Sequence, residues 1–211
     1  LNVFTKKGLS KKQILEVAKN IETQIISVPT GYQDYFPPLY GGVRSVRPGF
    51  LGVDSVALPV SLDELSEKMI LCYTGNPRQS GINNWEVMKK VLDGDRVTIE
   101  KLKKIAKIAR EMDRALTAGK MGEVTTLFKK EWQIRKALAP TISTPMMNKL
   151  ILGAMQKGAK AAKVCGAGGG GCVAFMVPPK KKASVSAELT RLKGQVIPFR
   201  FVHRGLRVQT L

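Results

Sequence analysis

Six consecutive small residues, Gly166, Ala167, Gly168, Gly169, Gly170 and Gly171, lie between apolar stretches in KVCGAGGGGCVAF. With side chains absent, successive backbone N–H groups in such a loop can converge on an anion, and a ligand can approach where any larger residue would block it. The chemistry this suggests is contact with a phosphate. The plainer reading is a flexible connector, but connectors are usually polar and lie between domains, whereas this run joins two strand-like apolar segments. No Lys-Ser or Lys-Thr follows it, as a Walker loop requires. The segment after it also reads as a strand, where a dinucleotide-binding fingerprint would open a helix.

Two carboxylates form a second candidate: Glu22, late in a predicted helix, and Asp34 in the GYQDY segment, with Gly31 freeing the backbone between them. Phosphoryl transfer to a hydroxyl needs magnesium on the nucleotide phosphates and a carboxylate that orients or deprotonates the attacking oxygen. Glu22 and Asp34 could divide those tasks. From spacing alone the plainer reading, a solvated helix residue and a turn former, stands ahead. A third candidate is YTGNPRQSG, in which Tyr73 closes a strand and Arg78 and Ser80 stand at the next helix start. An arginine there can fork onto a phosphate, or be an ordinary surface residue.

Composition bounds these readings. The chain has 211 residues, of which 44% are hydrophobic, enough for one sizeable core or two small ones. A net charge of +19 calls for anionic partners without separating nucleic acid, lipid surface and phosphorylated metabolite. The three cysteines, Cys72, Cys165 and Cys172, match no zinc-type spacing and suit reduced thiols in the cytoplasm. The lone His203 rules out a histidine cluster within the chain and reads as structural or surface. No apolar run reaches the roughly 20 residues that span a bilayer, and no signal peptide is visible. Leu1 in place of Met implies that something upstream has been lost or omitted.

The elements that must position these residues follow from periodicity and punctuation. Ser10 and Gln13 make a capping box for a helix whose apolar face is Ile14, Val17, Ala18, Ile21 and Ile25, ending before Pro29. VPTGYQDYFPPLYGG, with its glycines and prolines among aromatics, reads as an ordered loop without regular structure. Residues 43–59 read as short strands broken by Gly49 and Gly52, with a domain boundary near Ser61. Ser61 and Glu64 then cap a short turn into a strand from Met69 to Tyr73. Two helices follow, one from Leu102 to Leu116 that stops at Gly119, and one carrying Val124, Leu127, Phe128 and Trp132; they should pack antiparallel. Thr144-Pro145 starts another helix, with Leu150, Ile151, Ala154 and Met155 buried and Gly158 as its stop. Beyond the glycine run come a strand from Cys172 to Val177, a helix from Lys181 to Leu192 and a strand from Val196 to Val202. Lys180, Lys181 and Lys182 read as a solvated helix start. Alternating strands and helices in this order suit an α+β class with a small, mainly antiparallel sheet.

Taken in order, the three candidates resemble the GHMP kinases, the family of galactokinase, homoserine kinase and mevalonate kinase. KVCGAGGGGC resembles the family's C-terminal glycine motif. GYQDYFPPLYGG after a Glu-bearing helix, YTGNPRQS and PFRFVHRG resemble the pattern of its heptose 7-phosphate kinase branch, so the likeness covers nearly the whole chain. The resemblance implies ATP- and Mg2+-dependent phosphorylation of a sugar or sugar-phosphate hydroxyl, with Asp34 as catalytic base and Glu22 as metal ligand. It implies that Gly166 to Gly171 meet phosphate or nucleotide, and that Gly31, Gln33, Tyr35, Thr74 and Arg78 lie on the substrate side. It further implies a remnant of the family's N-terminal domain over residues 1–60 and a ferredoxin-like α+β C-terminal domain over 61–211. The family's N-terminal phosphate loop, resembling GLGSS, does not occur here, so this chain alone is expected to be a poor kinase or none. Expected partners are ATP and a small sugar or sugar phosphate, with a homodimer left open and neither membrane nor nucleic acid expected. The rival reading is a non-catalytic binding module for RNA or a metabolite, using the basic surface and the aromatics between Phe4 and Phe50.

Overall fold

A computed structural model describes residues 6–27, 30–50, 52–77 and 80–209. The chain divides into two compact units, Leu1–Leu62 together with Phe201–Leu211, and Asp63–Arg200.

In the first unit, helix α1 (Lys11–Ile26) opens on the expected capping box: the Gln13 N–H donates to Ser10 Oγ, and the Ser10 N–H donates to Gln13 Oε1 at 2.9 Å. The GYQDYFPPLY segment is more regular than expected. It forms a 3-10 turn, Tyr32–Asp34, and a short helix α2 (Phe36–Tyr40). Pro37 and Pro38 do not prevent this helix, because they stand in its first turn, where a backbone N–H has no intrahelical partner to lose. Strands β1 (Arg44–Gly49) and β2 (Gly52–Ala57) pair antiparallel as a hairpin, with Gly49 opposite Gly52.

Leu15, Phe36 and Leu39 are the buried centre of this unit, with Ile14, Tyr32, Tyr35, Tyr40, Val46 and Val53 packed around them. The expected apolar face of α1 is only partly used. Val17 and Ile21 are nearly half exposed and Ile25 is 76% exposed, while Leu15, one position off the predicted stripe, is buried at 3%.

The tail joins this unit through backbone proximity. A Cβ placed on Gly41 would lie 2.6 Å from backbone atoms of His203, Arg204 and Gly205, and one on Gly205 would lie 2.5 Å from the backbone of Leu39. The Gly42 N–H donates to the Val202 carbonyl at 2.8 Å. The sequence reading carries the second domain through to residue 211; the contacts place residues 201–211 with the first unit.

The second unit begins in helix α3 (Leu62–Lys68), a full helix where a short turn was expected, with Leu62 and Leu65 buried. Strand β3 (Met69–Tyr73) leads to four helices, α4 (Ser80–Leu92), α5 (Arg96–Thr117), α6 (Met121–Arg135) and α7 (Pro145–Gln156). Strands β4 (Ala161–Val164) and β5 (Cys172–Met176), helix α8 (Lys182–Arg191) and strand β6 (Gln195–Ile197) complete the unit. β6 is shorter than the predicted Val196 to Val202. Pro198 has no N–H to give the ladder, so pairing stops before it.

The sheet order is β4-β5-β3-β6 with every neighbour antiparallel. This is the β-α-β-β-α-β plan of the expected ferredoxin-like α+β class, its first crossover enlarged to four helices. Ile70 and Cys72 of β3 and Val173 and Phe175 of β5 pack with Met147, Leu150 and Ala154 of α7 and Val185 and Leu189 of α8. A second cluster joins Ile108 and Ala115 of α5 to Val124 and Leu127 of α6, over Ala161 and Met176 of the sheet. Thr144 caps α7 as predicted, its Oγ1 accepting from the Met147 N–H.

Among the described residues no helix is long and apolar enough to cross a membrane. All three cysteines are unbridged, and burial, with a smaller contribution from Cys172, pushes the Cys72 thiol up to about 11. We expect Leu150→Ala to cost about 2–5 kcal/mol in urea denaturation, since it empties a fully buried site. Ile25→Ser should change stability by less than about 0.5 kcal/mol.

Candidate active site

In the first unit, α1 and the residue that follows the 3-10 turn bring Glu22 to the Tyr35 phenol. The Tyr35 hydroxyl donates to Glu22 Oε2 at 2.6 Å and also lies 3.0 Å from Thr30 Oγ1, which in turn lies 3.0 Å from Thr23 Oγ1. Glu22, Tyr35, Thr30 and Thr23 thus form one polar chain along the C-terminal half of α1. Burial, followed by the Glu22 hydrogen bond, holds the Tyr35 phenol above the usual tyrosine range, and the charges of both Glu22 and Asp34 act in the same direction.

Asp34 is exposed and lines a cavity of about 190 Å³ with Ile14, Leu15, Ala18, Tyr35 and Pro38. Gly31 and Gln33 are exposed beside this group. Gly31 has a φ of −88°, so its backbone makes no demand for glycine, contrary to the expectation that it frees the chain there.

In the second unit, the glycine run is the connection between β4 and β5, closed by the Cys165 N–H donating to the Cys172 carbonyl at 2.9 Å. Gly166, Gly168, Gly169, Gly170 and Gly171 all have positive φ, between 72° and 151°, and Ala167 is the one member of the run that does not. The loop is therefore built from conformations that L side chains rarely adopt, and a flexible connector would not require this of every glycine.

Two N–H groups anchor the loop: Gly169 donates to the Ile142 carbonyl at 3.1 Å and Gly171 to the Asn76 carbonyl at 2.9 Å. Among the described residues, the N–H groups of Gly166, Gly168 and Gly170 have no hydrogen-bond partner. The Thr74 N–H returns a bond to the Gly171 carbonyl at 2.9 Å, so the Thr74 turn and the glycine loop are laced together. Thr74 is 3% exposed, and its hydroxyl faces the backbone of Asn76, which makes it a residue of the turn itself. Arg78 lies outside the described residues.

With this loop and fold in place, comparison with known proteins bears on the second unit. Residues 99–193 match the family described as GHMP kinases C terminal. That stretch is similar to the C-terminal domain of the GHMP kinases. Among curated relatives, the D-glycero-alpha-D-manno-heptose 7-phosphate kinase of Campylobacter jejuni is 26% identical over 205 residues, covering 94% of this chain and 59% of that protein. The mevalonate kinase of Thermococcus onnurineus is 23% identical over 209 residues, covering 95% of this chain and 58% of that protein. A solved galactokinase from Lactococcus lactis, complexed with galactose, superposes with a TM-score of 0.69 at 16% identity, over 94% of this chain and 61% of that one. That likeness shows the fold. The chain spans about three fifths of the length of the curated relatives it matches here.

Sequence reasoning missed several partners in each unit. Glu131 of α6 is 6% exposed and meets Arg135 Nε at 2.5 Å and Lys163 Nζ at 2.8 Å. Burial pulls Lys163, on the strand that leads into the glycine loop, below the usual lysine range. A single cation inside the apolar run AAKV was the available signal. In the first unit Lys19 donates to Tyr32 Oη at 2.7 Å, stands 4.2 Å from its ring centre and pairs with Glu16 at 3.0 Å. Only the Glu16–Lys19 spacing was visible beforehand.

Gly168 is the most constrained position of the loop. A Cβ there would lie 2.3 Å from the Ile142 carbonyl oxygen, on a backbone with φ of +83°. Gly168→Ala should lower stability by at least about 1 kcal/mol and accelerate hydrogen exchange at Gly169. Gly122→Ala, in open space on α6, should instead stabilise by roughly 0.5–1 kcal/mol in the same denaturation assay.

Proposed function

We propose that this chain is the C-terminal portion of an ATP- and Mg2+-dependent kinase that phosphorylates a hydroxyl of a sugar or sugar phosphate, in the manner of the heptose 7-phosphate kinases. The observation that carries the reading is the hydrogen bond from the Tyr35 phenol to Glu22, beside a cavity that Tyr35 and Asp34 both line. The three N–H groups of the glycine loop that lack partners support contact with phosphate in the other unit.

Glu22 is the residue that would hold magnesium. Its Oε2 is steadied by Tyr35, and Oε1 has no partner among the described residues. Among these residues no group of three or more His, Cys, Asp or Glu side chains could hold a metal ion alone. A single carboxylate suits magnesium, which takes one or two from a protein and fills its shell with phosphate oxygens and water. When bound, the ion supplies charge neutralisation on the transferring phosphate.

Asp34 accepts the proton of the attacking hydroxyl, and the Tyr35–Thr30–Thr23 chain holds the Glu22 carboxylate in place. A substrate already carrying phosphate suits the net charge of +19. In this reading a further region supplies the main nucleotide loop, and the protein works in the cytoplasm with its thiols reduced.

The test is ATP consumption by the intact protein. It should depend on a sugar or sugar phosphate, and a rate indifferent to any sugar would sink the proposal. Asp34→Asn should lower kcat by about 10²–10⁴ while ATP binding is kept; unchanged turnover removes Asp34 from the mechanism. Tyr35→Phe should raise the Mg2+ concentration needed for half-maximal rate, read from a metal titration at fixed ATP.

A further inference from the structure

Outside the proposed site, the second unit holds a cavity of about 300 Å³ lined by Lys90, Asp95, Thr98, Lys101, Lys136 and Pro140, among others. Its charges are unevenly matched. Asp95 is the N-cap of α5, and both its oxygens are engaged: Oδ1 accepts from the Val97 N–H, and Oδ2 from the Thr98 N–H and hydroxyl. Lys90 is paired with Glu86 at 3.0 Å and donates to the Leu138 carbonyl at 3.2 Å. Lys101 donates to the Ala137 carbonyl at 2.6 Å, and neither it nor Lys136 has a carboxylate partner among the described residues. Lys103 and Lys107, on the exposed side of the same helix, are paired with Glu100 and Glu111. Two ammonium groups without an ion-pair partner among the described residues therefore share one concave, polar site with Asp95, whose oxygens are engaged, and with a third ammonium paired to Glu86.

We propose that this cavity binds a phosphate-class dianion, either inorganic phosphate or the phosphate group of a metabolite. Lys101 and Lys136, which outnumber the Asp95 carboxylate, offer charge-assisted donors to such a ligand, and Lys101 and Lys90 each keep donors beyond those given to the carbonyls. The location gives the site a consequence. The carbonyls held by Lys101 and Lys90 belong to Ala137 and Leu138, and the segment they start runs to Ile142, whose carbonyl supports Gly169 of the glycine loop. An anion here steadies the segment on which that loop rests. This consequence rests on the phosphate-contacting role proposed above for the loop; the binding itself does not.

The experiment is a titration of the 15N-labelled chain with inorganic phosphate and, separately, with a hexose monophosphate, at constant ionic strength against a chloride control. Saturable shifts are expected at the amides of Thr98, Lys101 and Ala137. The dissociation constant should rise at least tenfold in both Lys101→Met and Lys136→Met, and Lys101→Arg should retain binding. Lys136 is exposed, so its variant should keep the wild-type melting temperature and thereby separate lost binding from lost fold. Whichever anion binds more tightly identifies the source of the phosphate. Shifts that never saturate, that chloride reproduces, or that are unchanged in Lys136→Met would overturn the proposal. Shifts confined to residues 166–171 would also overturn it while leaving the kinase reading intact.

Discussion

The approach of one backbone to another at Gly168 is the constraint around which the second unit is arranged. No atom larger than hydrogen fits between that residue's α-carbon and the Ile142 carbonyl. The β4–β5 connection can therefore take its place only with glycine there, in a left-handed conformation. Three other features depend on that placement. The Gly169 N–H reaches Ile142, the Gly171 N–H reaches Asn76, and the Thr74 turn closes back on Gly171. Because β3 lies beside β5 in the sheet, the end of one strand and the start of the other emerge together, and the Thr74 turn meets the glycine loop without a separate support. The loop's regularity thus comes from being pinned at alternate residues, which leaves the intervening N–H groups free of internal partners.

The same device appears in the first unit with a different result. Gly41 and Gly205 let the tail lie directly on the backbone of α2, next to a small core centred on Leu15, Phe36 and Leu39. That core holds the 3-10 turn against α1 and fixes Tyr35 within hydrogen-bonding distance of Glu22. The polar chain through Thr30 and Thr23 then satisfies the phenol from both sides, which is the condition for keeping a half-buried hydroxyl in place.

Charge is organised more locally than a net value of +19 suggests. Many lysines on the helices are paired with an acid three or four residues away, and Lys163 is drawn inward onto buried Glu131. Such pairs lie mostly at the surface and add little to stability. Most of the 35 lysines and arginines lack such a pair among the described residues, and Lys101 and Lys136 of the cavity behind the Ala137–Ile142 segment are two of them.

Much of the fold was legible in the sequence because it is set by local rules. The Ser10–Gln13 capping box, Thr144 before Pro145, the periodic faces of α5 and α6 and the strands about the glycine run all depend on residues within a few positions of one another. Readings failed where a contact from elsewhere prevailed. Leu15 displaced the predicted face of α1 because the core lies toward α2, and Pro198 ended β6 early. The proline-rich segment became helical because its prolines fell in a first turn. For the candidate site, sequence alone determined which residue types were present and in what order: two carboxylates with Gly31 between them, a strand ending at Thr74-Gly75, and a run of glycines. Only the tertiary structure decided that Tyr35 joins Glu22, that Thr74 is a turn residue, and which N–H groups of the loop remain without partners. Those outcomes depend on backbone segments distant in sequence coming within hydrogen-bonding range, or on how a core orients one side chain, and no local pattern encodes either.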